Sequence, residues 1–98
     1  MFESPGGVQY SYLTADRLIE RDPVILHSTT LLASTTGGDV TVYDGHDATS
    51  GRVVNVHEGT ANECNTVTYG PGILLRDGLF VDIGSDVTGF LVVWERAL

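Results

Sequence analysis

Three histidines, one cysteine and a scatter of carboxylates are the residues of this chain with chemistry to offer. His27, His46 and His57, with Asp44, Asp47 and Glu58, are donor types that a divalent metal accepts. Their spacing matches no ligand pattern, because His46 and Asp47 fall in a polar loop while His27 sits inside an apolar run. Asp44-Gly45-His46-Asp47 has the oxygen density of a calcium loop but lacks the acidic alternation and distal bidentate glutamate that complete one. It reads instead as an Asp-rich hairpin turn. Cys64 and His57 are a nucleophile and a base by type, yet no third orienting group or oxyanion loop accompanies them, and a lone cysteine on a strand is ordinarily a small packed residue. Gly37-Gly38 and Gly70-Pro71-Gly72 lack the Lys-Ser/Thr pair and following helix of a phosphate loop. The residues therefore predict no catalytic, cofactor-binding or metal site, and no enzyme.

Aromatic residues pose a different question. Tyr10 and Tyr12 stand two apart near the N-terminus, with Phe2 before them and Phe80 and Trp94 far downstream. A tyrosine pair at this spacing shares one face of a strand, where it either anchors a neighbouring subunit or covers the edge of the domain's own sheet. Phe2, Tyr10, Tyr12 and Phe80 are the candidate interface residues.

The elements that must carry these side chains are short strands. Val40-Thr41-Val42-Tyr43-Asp44-Gly45 and Arg52-Val53-Val54-Asn55-Val56 flank a Gly/Asp/Ser loop, the signature of a β-hairpin. Val8 to Leu13 alternates as a strand, and Thr14 to Asp22 fits a short helical turn capped by Thr14 and stopped by Pro23. Val24 to Ser34 is the longest apolar run and the expected central strand, with a bulge near Ser28-Thr29-Thr30 if it changes face. Glu63 to Tyr69 follows, broken by Gly70-Pro71-Gly72; then come Ile73 to Leu75, Leu79 to Ile83 and Val87 to Glu95. Leu26, Leu32, Val42, Val54, Val81, Ile83, Val92 and Trp94 are the predicted core. Strands at this spacing indicate a sandwich or small barrel, all-β and antiparallel, of seven to eight strands.

With 98 residues there is room for one domain, divided into an arm and first strand over 1–22 and a sandwich over 23–98. A net charge of −8, with no lysine, repels phosphate backbones and anionic bilayers, so neither nucleic acid nor membrane is an expected partner. Met1 to Leu18 has neither the basic start nor the apolar core of a signal peptide, and no stretch approaches the ~20 apolar residues of a membrane span.

Val24 to Ala33, Val40 to Gly45 and Thr49-Ser50-Gly51, followed by Gly70-Pro71-Gly72-Ile73, Asp77 to Asp82 and Val87 to Glu95, resemble small β-sandwich virion proteins of tailed bacteriophages and related viruses. These are head decoration, cement or fibre-associated proteins, and the resemblance covers about residues 23 to 96. It implies a jelly-roll-like sandwich with an extended N-terminal arm and no catalytic residues. It further implies a multi-copy homo-oligomer, a trimer as the first expectation, made in the host cytoplasm and bound to the major capsid protein or other virion proteins on the outer capsid surface. A tail, neck or fibre component, or a carbohydrate- or receptor-binding sandwich, is the alternative.

Overall fold

A computed structural model describes residues 7–97; the expected arm lies outside them except for Gly7, and Phe2 with it. Eight strands follow one another: β1 (Gln9–Leu13), β2 (Arg17–Glu20), β3 (Val24–Ala33), β4 (Gly38–Asp44), β5 (Arg52–Gly59), β6 (Cys64–Leu75), β7 (Leu79–Ile83) and β8 (Val87–Arg96). No helix occurs among the described residues. The strands form two antiparallel four-stranded sheets, ordered β1-β8-β3-β6 and β2-β7-β4-β5. Their inner faces share one core. The first sheet supplies Leu13, Val24, Leu26, Leu31, Leu75, Phe90, Val92 and Trp94, and the second supplies Val40, Val42, Leu79 and Val81. Each such side chain taken from water contributes about 1.5–3 kcal/mol, so this shared layer holds the sheets together.

The segment after Thr14 is a strand and not a helical turn. Residues Arg17–Glu20 pair antiparallel with β7, Leu18 opposite Phe80, and Ile19 packs against the core. A single turn is too short to repay helix nucleation, whereas a sheet edge with an apolar floor offers ladder bonds and burial together. Gly70-Pro71-Gly72 does not end its strand either. β6 continues to Leu75, and Tyr69 to Gly72 are accommodated between Thr68 and Ile73, the residues paired with Ser28 and Leu26. Gly70 and Gly72 supply the positive φ angles, 62° and 113°, that this bulge requires. A Cβ at Gly72 would stand 2.5 Å from Ile25 Cγ2.

The matching irregularity in β3 falls between Leu26 and Ser28, at His27. It turns the strand over, so Val24 and Leu26 before it and Thr29 and Leu31 after it all face inward. Leu32, expected in the core, is consequently half-buried, and Leu31 takes its place. Val54 and Ile83 are also half-buried and pack against the core from its margin, while Leu26, Val42, Val81, Val92 and Trp94 are buried as expected.

Candidate functional site

β1 is an edge strand whose inner positions, Ser11 and Leu13, lie opposite Val92 and Phe90 of β8. Ser11 Oγ accepts the Trp94 indole N–H at 3.1 Å. Alternation puts Tyr10 and Tyr12 outward, 70% and 49% exposed, beside Val93 and Leu91 respectively. The Tyr12 hydroxyl fills the space where a Cβ of Gly89 would stand, so the ring lies along the sheet because β8 has a glycine there. On the next strands of this outer face, Ile25 lies between Glu95 and exposed Leu74. The apolar cluster of this face is therefore Tyr10, Tyr12, Leu91 and Val93 on β1 and β8, while Ser28, Thr30, Thr66 and Thr68 continue the same rows on β3 and β6.

Charge is distributed unequally between the two sheets. The strands of the first sheet hold one acid, Glu95, whose Oε1 accepts a hydrogen bond from His27 Nε2 at 2.7 Å. Those of the second hold Glu20, Asp39, Asp44, Glu58 and Asp82. Burial, and after it the neighbouring Asp16 and Asp39, raise the Asp82 carboxyl above its ordinary value.

Phe80 does not join the tyrosines. It faces outward on the other sheet, half-buried, with its ring 6.2 Å from that of Tyr43, in a row that runs Leu18, Phe80, Tyr43, Val53 across all four strands. Trp94 is a core residue. Of the candidate interface residues, then, the structure brings together Tyr10 and Tyr12 and separates Phe80 from them by the thickness of the domain.

Between the sheets, at the β5–β6 side, lies a polar chain that sequence reading did not find. Asn55 donates from Nδ2 to the Tyr69 hydroxyl at 3.0 Å, which is 3.1 Å from Thr29 Oγ1. Thr29 Oγ1 is 2.7 Å from His57 Nε2, and His57 Nδ1 is 2.7 Å from Asn65 Oδ1. With a neutral imidazole one arrangement of protons satisfies every contact. The Asn65 carbonyl oxygen requires His57 Nδ1–H, so Nε2 accepts from Thr29, which accepts in turn from Tyr69. Phe90 stacks edge-on against the imidazole at 5.3 Å. A hydroxyl, an imidazole and a carboxamide in this order form a nucleophile–base–orienter line by geometry. Here Thr29 has no exposed surface and His57 only 3%, so the line is sealed from any substrate. Its effect is to tie β3 and β6 to β5. The sequence carried one signal for it: Asn55 and His57 in β5, and Asn65 and Tyr69 in β6, keep phase with Val53 and with Val67, Ile73 and Leu75, where alternation calls for apolar residues.

The three histidines take separate partners, as His46 Nε2 donates to the Arg21 carbonyl at 3.0 Å. Among the described residues no group of three or more His, Cys, Asp or Glu side chains is placed to hold a metal ion. Cys64 is exposed on β6, opposite Leu32, and both ring nitrogens of His57 are engaged by Thr29 and Asn65. The loop acids serve the backbone. Asp44 accepts the N–H groups of Arg76 and Asp77, and Asp47 those of Thr49 and Ser50. The Ser50 N–H, with its hydroxyl, holds the Asp47 carboxyl below the ordinary value.

The fold and these sites define an all-β, two-sheet domain whose first sheet has one acid in its strands and presents an exposed tyrosine pair at its edge. Compared with protein-family models, curated proteins and solved structures, the chain matches none.

Proposed function

We propose that this chain is a virion structural protein, a decoration or cement protein that binds the outer surface of a viral head and stabilises it. The observation that carries the reading is the outer face of the β1-β8-β3-β6 sheet, where Tyr10, Tyr12, Leu91 and Val93 adjoin and the one acid is held by His27. Aromatic and aliphatic side chains free of net charge are what the centre of a protein interface is made of. The acids concentrate on the opposite sheet and on the loops, which suits an exterior turned to solvent.

The strand order supports a jelly roll. β1 pairs with β8, β2 with β7, β3 with β6 and β4 with β5, as when one long hairpin wraps into two sheets. This architecture serves viral capsids and lectins among others. The partner in this reading is the major capsid protein, the chain acts as a homo-oligomer, and many copies make weak contacts collectively strong. Quantitative mass spectrometry of virions that contain this chain tests the proposal. A decoration protein approaches the copy number of the major capsid protein. A few copies per particle point to a tail, neck or fibre component, and absence from particles removes the virion reading.

A further inference from the structure

At the end of the domain where the β2–β3, β4–β5 and β6–β7 connections meet, a cleft of about 410 Å³ is lined by Arg21, Gly45, His46, Ser50, Arg76 and Asp77. Two of the chain's five cations thus line one cleft of a protein whose net charge is −8. Among the described residues neither guanidinium has a carboxylate within 4.0 Å; the ion pairs there are His27–Glu95 and Arg96–Glu20. Two acids of these loops are occupied, Asp44 by two backbone amides of the 76–78 turn and Asp47 by Thr49 and Ser50, while Asp77 stands in the lining itself. The walls are also held in place. Gly45 N–H donates to the Gly78 carbonyl, and His46 Nε2–H to that of Arg21, tying all three connections together.

We propose that this cleft binds a small hydroxylated carboxylate, of which a uronic acid sugar is the type. The donors and acceptors in the lining are matched to that chemistry. Arg21 and Arg76 offer planar N–H pairs of the kind that grip a carboxylate. The Asp77 carboxylate is an acceptor, as is the second ring nitrogen of a neutral His46 whose Nε2–H is taken by the Arg21 carbonyl, and they suit a ligand that also brings O–H donors. Inorganic phosphate also carries P–OH donors, but it holds them on the same small centre as its charge and so sets that charge against Asp77, whereas a sugar acid presents its hydroxyls apart from its carboxylate. Neutral sugars satisfy the acceptors and leave both arginines without an anion. The net charge of the whole chain keeps polyanions away, which narrows the ligand to a compact monoanion. This proposal is independent of the docking face, which lies on a sheet surface and not among these loops.

The test is an NMR titration of the ¹⁵N-labelled full chain with sodium glucuronate, with glucose and inorganic phosphate as parallel arms. Saturable shifts in Gly45, Ser50 and Arg76 amides with glucuronate, weaker by at least tenfold with glucose and with phosphate, are the expected result. Arg76→Ala and Arg21→Ala should each raise the glucuronate Kd at least tenfold while their spectra keep wild-type dispersion. No saturable shift of the wild type at these residues overturns the proposal, as does equal affinity for glucose or phosphate. A wild-type Kd retained by both folded variants overturns it too.

Discussion

Replacing Thr29 with valine should destabilise this domain far more than one lost hydroxyl suggests. Valine keeps the shape and fills the same buried volume, so no cavity opens. What changes is that His57 Nε2 loses its donor, the Thr29 hydroxyl 2.7 Å away, and the Tyr69 hydroxyl loses its acceptor at 3.1 Å. His57 is 3% exposed and cannot turn to water, whereas Tyr69 is half-buried and can do so in part. A buried polar group left without a partner costs ~1–3 kcal/mol, which puts the loss at roughly 2–3 kcal/mol with His57 as the larger share. For a domain of this size 1 kcal/mol moves Tm by about 4–8 °C, so the variant should melt roughly 8–24 °C lower. The control is Thr30→Val, which breaks an equally short bond, 2.8 Å to Thr66, on the solvated outer face; it should stay within ~0.5 kcal/mol of wild type. Urea denaturation followed by circular dichroism, with both variants beside the wild type, reads the difference. Equal stability of the two variants would falsify the claim that the interior chain ties the sheets. A double-mutant cycle with Asn65→Leu should show coupling, since both residues act through the same imidazole.

Tyr10→Ser should leave Tm within about 2–4 °C of wild type, the range for a surface substitution, yet co-sedimentation with virus particles should fall clearly; undiminished binding would clear the tyrosine face of any docking role. Gly89→Ala should lower both Tm and particle binding, because its methyl displaces the Tyr12 ring and loosens β1 from β8, visible as lost Tyr12–Gly89 nuclear Overhauser contacts. The raised carboxyl of Asp82 means that its ionised form opposes folding, so the stability it costs grows as pH climbs from the ordinary carboxylate value through the raised one. Asp82→Asn should accordingly raise Tm at pH 7, with the advantage vanishing below the carboxylate range; a Tm at pH 7 no higher than wild type refutes this. A chain begun at Val8 should melt within a few degrees of the full chain but bind particles less, and full retention of both binding and oligomeric state would show residues 1–7 to be passive.

Legibility varied with how local the cause was. The β4–β5 hairpin and the β7 and β8 strands follow from alternation and turn residues in adjacent stretches, and the sequence shows them directly. At Thr14 to Asp22 local preference was indecisive, and the outcome was set by a partner, β7, some sixty residues away. Gly70-Pro71-Gly72 has the composition of a strand end, and it became a bulge because both its flanks pair with β3, Thr68 with Ser28 and Ile73 with Leu26, around His27, the extra residue of β3 against β8. That same residue decided whether Leu31 or Leu32 entered the core, so an error of one position in the bulge exchanged an inside leucine for an outside one. For the candidate site, the shared face of Tyr10 and Tyr12 follows from their spacing, but that this face is outward, and which sheet Phe80 occupies, do not. The Thr29–His57–Asn65 line joins three strands, and no window along the sequence contains it.

The nested pairing of the strands also sets an order of events in time. Only β4 and β5 are neighbours joined by a short loop; each further pair, β3 with β6, β2 with β7 and β1 with β8, closes a longer loop than the one inside it. Loop-closure entropy grows with length, and folds dominated by such non-local contacts fold in milliseconds to seconds. Gln9 pairs with Trp94 across nearly the whole chain, the longest loop of the set. β1 is at once the strand whose pairing closes the longest loop, an edge, and the bearer of the exposed tyrosines, so its release would leave the other seven strands paired. Its amides should exchange with solvent ahead of those of β3 and β8, and a copy that lends this strand to a neighbour would lose one ladder and leave the inner pairs intact.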